Sequence, residues 1–190
     1  MSSIMSVRYA FSARGLATRA QRAMAVRPSS MAGWIDASAH VHPSAKLHQT
    51  ATVEAGAYVG PGCELRAGSI VGRGSVIGPG SVLGPHVSVE NCRIGAQCIL
   101  HAGVRIGADG FGFVVDAASG AVRKKPQLLH VIIGEGVEIG AGTCIDRGSW
   151  RDTVVADHTK IDNLVQVRRW RQALSNTASD ATRRDAGSLR

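Results

Sequence analysis

The stretch Val53–Val89, VEAGAYVGPGCELRAGSIVGRGSVIGPGSVLGPHVSV, places an aliphatic residue at every sixth position: Val53, Val59, Leu65, Val71, Ile77, Leu83 and Val89. A helix needs apolar spacings of three and four, and a meander needs strict alternation broken by hairpin turns, so neither fits this register. Working outward, Val41 and Leu47 extend the phase toward the N-terminus. A one-residue deletion shifts it to Ile94, Leu100 and Ile106. A longer interruption precedes Ile133, Ile139 and Ile145, and four extra residues precede Val155, Ile161 and Val167.

The position four after each aliphatic tests this register, because a six-residue rung that turns a corner points two side chains inward. Those positions read Ala45, Ala51, Ala57, Cys63, Ser69, Ser75, Ser81, Val87, Cys98, Val104, Val137, Thr143, Ser149, Thr159 and Val165, all small or β-branched. The residue after the aliphatic is often glycine, as at Gly60, Gly78 and Gly107, where a corner demands either a positive φ or a close backbone approach. Internal repeats of this kind identify a solenoid whose neighbouring rungs bury one another. The expected fold is all-β: a left-handed parallel β-helix. Eighteen rungs at three per coil give about six coils, with a rise of ~4.8 Å per coil.

Composition agrees. Aromatic residues make up 4% of the chain and there are 23 glycines, too few rings for an ordinary globular core. The net charge of +8 is confined to the ends. Residues 1–33 carry Arg8, Arg14, Arg19, Arg22 and Arg27 with no acid, the composition of an organelle transit peptide, mitochondrial rather than chloroplast from the arginine spacing. Residues 168–190 form a basic tail without hexads, expected to be mostly disordered or a short frayed helix. The β-helix domain is therefore expected over 34–167. Its middle is close to neutral, so no nucleic-acid face is expected, and no apolar run is long enough for a transmembrane segment. Cys63, Cys92, Cys98 and Cys144 match no zinc spacing and read as small buried residues.

Chemistry is expected at the interruptions, since fold alone does not give function. The first, an excursion over 107–130, contains GADGFGF and KKPQ. Phe113 and Val115 face Val122 and Lys124 across Ser119-Gly120, which reads as a hairpin. The second includes Asp146, Arg147, Arg151 and Asp152, which read either as an ion-pair network at a subunit contact or as substrate ligands.

GADGFGF, KKPQ, VEIGAGTCIDRGSWRDT and TKIDNLVQV, in that order on a hexapeptide helix, resemble the UDP-3-O-acylglucosamine N-acyltransferase family of the lipid A pathway and are similar to its plant mitochondrial form. The likeness covers roughly residues 38–167. It implies a homotrimer with active sites between neighbouring helices. It further implies a fatty acyl donor carried as a thioester on the phosphopantetheine of acyl carrier protein, an acceptor amine on UDP-3-O-acylglucosamine, and no bound cofactor or metal. In that chemistry a histidine serves as general base on the sugar amine, and Asp162 and Gln166 match family positions lining the acyl-chain and catalytic pocket. Here the pattern departs from the family: Arg169 stands where the catalytic histidine belongs, and arginine cannot take a proton at neutral pH. The chain is thus expected to be a C-terminally truncated, inactive form, or a noncatalytic isoform that joins a trimer. Arg123, Lys124 and Lys125 are a solvated run or a docking patch for acidic carrier protein.

His101, His158, His40 and His42 read first as solvated corner or surface residues. A γ-carbonic-anhydrase-like alternative shares the fold but needs three histidine ligands, two of them with H-x4-H spacing. No such pair exists among His40, His42, His48, His86, His101, His130 and His158.

Overall fold

The computed structural model describes residues 33–168 and the short strand Ala178–Ser179. The expectations for residues 1–32 and for Arg169 fall outside the described residues. Two-residue and three-residue strands line three parallel faces of a prism. The first face runs Trp34–Ile35, Thr52–Val53, Ile70–Val71, Ser88–Val89, Arg105–Ile106, Cys144–Ile145 and Gln166–Val167. The second runs His40–Val41, Tyr58–Val59, Val76–Ile77, Cys92–Ile94, Val131–Ile133 and Thr153–Val155. The third runs Lys46–Leu47, Glu64–Leu65, Val82–Leu83, Ile99–Leu100, Glu138–Ile139 and Lys160–Ile161.

The aliphatics named from the sequence fall in register on one another, for example Val53 with Val71 and Leu100 with Ile139. They form the core: Val53, Val59, Val71, Ile77, Leu83, Val89, Ile139 and Ile145 are fully buried. Each such burial contributes roughly 1.5–3 kcal/mol, without any large ring. The first face holds seven strands, because Trp34–Ile35, one hexad before Val41, already pairs with Thr52–Val53, so the solenoid runs to between six and seven turns.

Three details differ from the sequence expectation. After the second interruption the inward small position belongs to Thr153, not Ser149. The four-residue insertion separates Ser149 from the next rung, whereas Thr153 stands two before Val155 and is buried. Cys92, two before Ile94, fills the equivalent slot after the one-residue deletion. The glycines after the aliphatics divide by cause. Gly78 has an ordinary φ but its backbone passes so close to the next coil that a Cβ would lie 2.5 Å from the Gly95 carbonyl carbon. Apart from Gly107, with φ +89°, positive φ falls two residues later in the corner, as at Gly56 with φ +66°.

The tail contributes one strand that the sequence reading did not place. Ala178–Ser179 pairs in parallel with Lys160–Ile161, extending the third face.

Candidate functional site

The hexad breaks three times, and every break falls at the same corner, between the first face and the second. The deletion lies between Val89 and Cys92, the excursion between Ile106 and Val131, and the insertion between Ile145 and Thr153. A solenoid corner can lengthen without disturbing the strands stacked above and below it, so insertions in successive coils pile up on one edge.

The two larger breaks are hydrogen-bonded to each other. Arg147 N donates to Ala108 O at 2.9 Å and Leu129 N to Gly148 O at 3.1 Å. Arg147 Nε donates to Leu129 O at 2.7 Å, and His130 N to Asp152 Oδ1 at 2.8 Å. The excursion carries the expected antiparallel hairpin, with Phe113 opposite Lys124 and Val115 opposite Val122. Its turn is held by Asp116 Oδ1, which accepts from Ala118 N, Ser119 N and the Ser119 hydroxyl; these bonds lower the Asp116 pKa.

The basic run does not act as a unit, because neighbouring strand residues face opposite ways. Lys124 Nζ is 2.6 Å from Asp109 Oδ2, and Lys125 Nζ lies 3.7 Å over the Trp150 ring, a cation–π contact. Arg123 has no partner among the described residues and is exposed. Around this base sit Phe111, Leu128 and Trp150, each more than two-thirds exposed. Phe111 and Phe113 meet edge to face at 4.9 Å between centroids.

Asp146, Arg147 and Asp152 are not an ion-pair network with one another. Arg147 Nη1 is 3.8 Å from Asp109, Asp152 serves His130, and Asp146 Oδ1 accepts from Gln166 Nε2 at 3.1 Å. Arg151 is exposed. Burial raises the Asp146 pKa, opposed by the Gln166 hydrogen bond and the Arg168 charge.

Asp162 and Gln166 are not hydrogen-bonded to each other. Asp162 sits at the corner between the third and first faces, where its Oδ1 accepts from Asn163 N at 2.7 Å. Gln166 stands on the first face beside Cys144. The partner of Gln166 is therefore Asp146, from the opposite corner. His101 lies on the corner of Asp162, two coils earlier, with Nε2 2.9 Å from Glu138 Oε1. Lys160 Nζ is 3.3 Å from the other Glu138 oxygen, and both partners lower the Glu138 pKa. His42 bonds Ser44, and His158 covers the Gly136 backbone from a left-handed conformation with φ +60°. Sequence reasoning missed Asp109, His130 and Trp150: each is an isolated residue whose role exists only because the two interruptions are stacked.

No helix among the described residues is long and apolar enough to cross a membrane. The model of the bacterial transferase hexapeptide (six repeats) matches residues 50–85 and 74–108. The chain is 65% identical over 82 residues to the probable UDP-3-O-acylglucosamine N-acyltransferase 2, mitochondrial, of Arabidopsis thaliana, covering 43% of this chain and 27% of that protein. It is 61% identical over 75 residues to UDP-3-O-acylglucosamine N-acyltransferase of Paracidovorax citrulli, covering 40% of this chain and 22% of that protein. The solved UDP-N-acetylglucosamine acyltransferase of Francisella novicida aligns at 26% identity and TM-score 0.44, covering 71% of this chain and 43% of that one. The chain thus spans about a quarter of the length of the curated relatives it matches. Over the matched stretches the chain carries hexapeptide repeats and is similar in sequence to UDP-3-O-acylglucosamine N-acyltransferases.

Proposed function

We propose that this chain is a scaffold of the N-acyltransferase that moves a fatty acyl group from an acyl carrier protein thioester to the 2-amino group of UDP-3-O-acylglucosamine. The identity of 65% to the Arabidopsis relative carries this reading. The arrangement of the stacked corner supports it: an exposed apolar and aromatic edge around Phe111, Leu128 and Trp150 suits an acyl chain, and the polar pair Asp146–Gln166 lies on the adjoining face. The donor arrives on the phosphopantetheine arm of acyl carrier protein. Arg123, Lys124 and Lys125 give the hairpin a positive edge to steer that acidic partner, with Arg123 the free cation. Substrate pockets lie between copies in a homotrimer, and Asp162 and Gln166 line them. The acid-free, arginine-rich residues 1–33 direct the chain to the mitochondrion.

The general base is missing. Arg169 occupies its place and holds its proton at any physiological pH, so the amine is not activated. This substitution favours a second reading, a noncatalytic subunit that assembles with complete relatives and modulates them.

The test is turnover. The chain and its Arg169→His variant are incubated with acyl carrier protein loaded with acyl chain and with UDP-3-O-acylglucosamine, and the amide product is followed by mass spectrometry. Product from the variant and none from the natural chain is expected. Product from the natural chain overturns the assignment of Arg169 to the base position, and no product from either leaves only the noncatalytic subunit.

A further inference from the structure

We propose that Asp146 is the positioning residue that fixes the Gln166 amide with its carbonyl oxygen turned outward, so that this position on the first face takes a hydrogen-bond donor. A primary amide has a donor end and an acceptor end, and it can rotate to present either. Asp146 removes that freedom. An ionised carboxylate only accepts, so with Oδ1 at 3.1 Å the Gln166 side chain must turn its Nε2 inward. The reverse orientation would set two acceptors against each other.

Asp146 is itself anchored from three directions. Its N donates to Val167 O at 3.0 Å, tying it to the last described coil. Its carbonyl accepts from the Thr153 hydroxyl at 2.9 Å, within the second interruption. Its carboxylate abuts Gly110 of the excursion, where a Cβ would lie 3.3 Å from Oδ2. Arg168 is the charged group facing it from the last coil. Asp109, one residue from Gly110, is occupied by Lys124 and Arg147. One carboxylate thus links both interruptions to the outward residue of the last rung on the first face.

The identity of the incoming donor rests on the transferase reading. A sugar amine has N–H groups and one lone pair. If Gln166 Oε1 accepts an N–H, the lone pair stays free to attack a thioester carbonyl. A reversed amide would donate into that lone pair and quench it. Asp146 therefore acts through Gln166 and need not touch substrate.

The experiment observes the Gln166 side-chain amide by 15N–1H correlation spectroscopy in the full chain, natural and with Asp146→Asn. In the natural chain the cross-peak is expected to move with pH, its midpoint above the ordinary aspartate value of about 3.9. That movement is expected to vanish in Asp146→Asn, while the Cys144 and Val167 backbone amides, which report the intact rung, stay in place. A pH-independent cross-peak in the natural chain, or an unchanged titration in the variant, overturns the proposal. Addition of UDP-3-O-acylglucosamine is expected to shift the peak, with affinity about tenfold weaker in Asp146→Asn, the worth of one well-formed hydrogen bond. Equal affinity in both proteins overturns the role in recognition. A normal titration with no sugar binding defeats the transferase reading and leaves the Asp146–Gln166 arrangement standing.

Discussion

Substituting Gly107 by alanine should cost far more than the same change at Gly56, and the difference isolates one close contact in the fold. Both glycines have positive φ, +66° at Gly56 and +89° at Gly107. An alanine at 56 would have nothing within 4 Å of its Cβ, so the cost is that of an L-residue in the left-handed region, about 1–2 kcal/mol, less a fraction recovered from a stiffer unfolded chain. At 107 the Cβ would overlap the Glu90 carbonyl oxygen and fall 2.7 Å from its carbon. That carbonyl cannot retreat freely, because Glu90 N donates to Ile106 O at 2.9 Å, and Gly107 N to Ile145 O at 2.8 Å. Overpacking of this kind costs roughly 1–3 kcal/mol beyond the backbone term, so Gly107→Ala is expected to cost about 2–4 kcal/mol against about 1 for Gly56→Ala. Urea unfolding followed by circular dichroism measures both. Amide exchange at Ile106 and Ile145 shows whether the loss is centred on the rung that launches the excursion, as nearest-neighbour stability in a solenoid requires. Equal midpoints for the two variants would refute the claim that backbone proximity, rather than φ alone, demands glycine at 107.

Leu164 is 82% exposed and holds φ +58°, a conformation costly for a branched side chain with little burial in return. Leu164→Gly is therefore expected to raise stability by about 1 kcal/mol in the same urea assay, and a loss would show that its contact over Gly142 outweighs the backbone strain. Cys92 is buried, and that burial pushes its thiol up to about 12; Cys63 and Cys98 are buried and raised as well, leaving Cys144 the only partly exposed thiol. A disulfide reagent at pH 8 should modify Cys144 alone in the folded protein and all four after unfolding, whereas two or more fast thiols would contradict the inward placement of the others.

The sequence by itself determined the rungs. Val41 through Val167 keep a six-residue phase through three breaks, and a stack of identical short rungs has one way to bury them, so the fold followed from local pattern alone. It also determined the hairpin, whose strand pairing is set by the Ser119-Gly120 turn, and the small inward residues such as Ala51 and Ser69. Only the tertiary structure decided what the breaks do together. They fall in successive coils of the chain, and the constant coil length returns each of them to the same corner. That brings Asp109 to Lys124 and Arg147, Trp150 to Lys125, and Asp146 to Gln166. Sequence spacing names the residues that leave the ladder, but their partners depend on how far each loop folds back, which no hexad encodes. Thr153 replaced Ser149 because an inward place is defined by the neighbouring coil, not by counting from the last aliphatic.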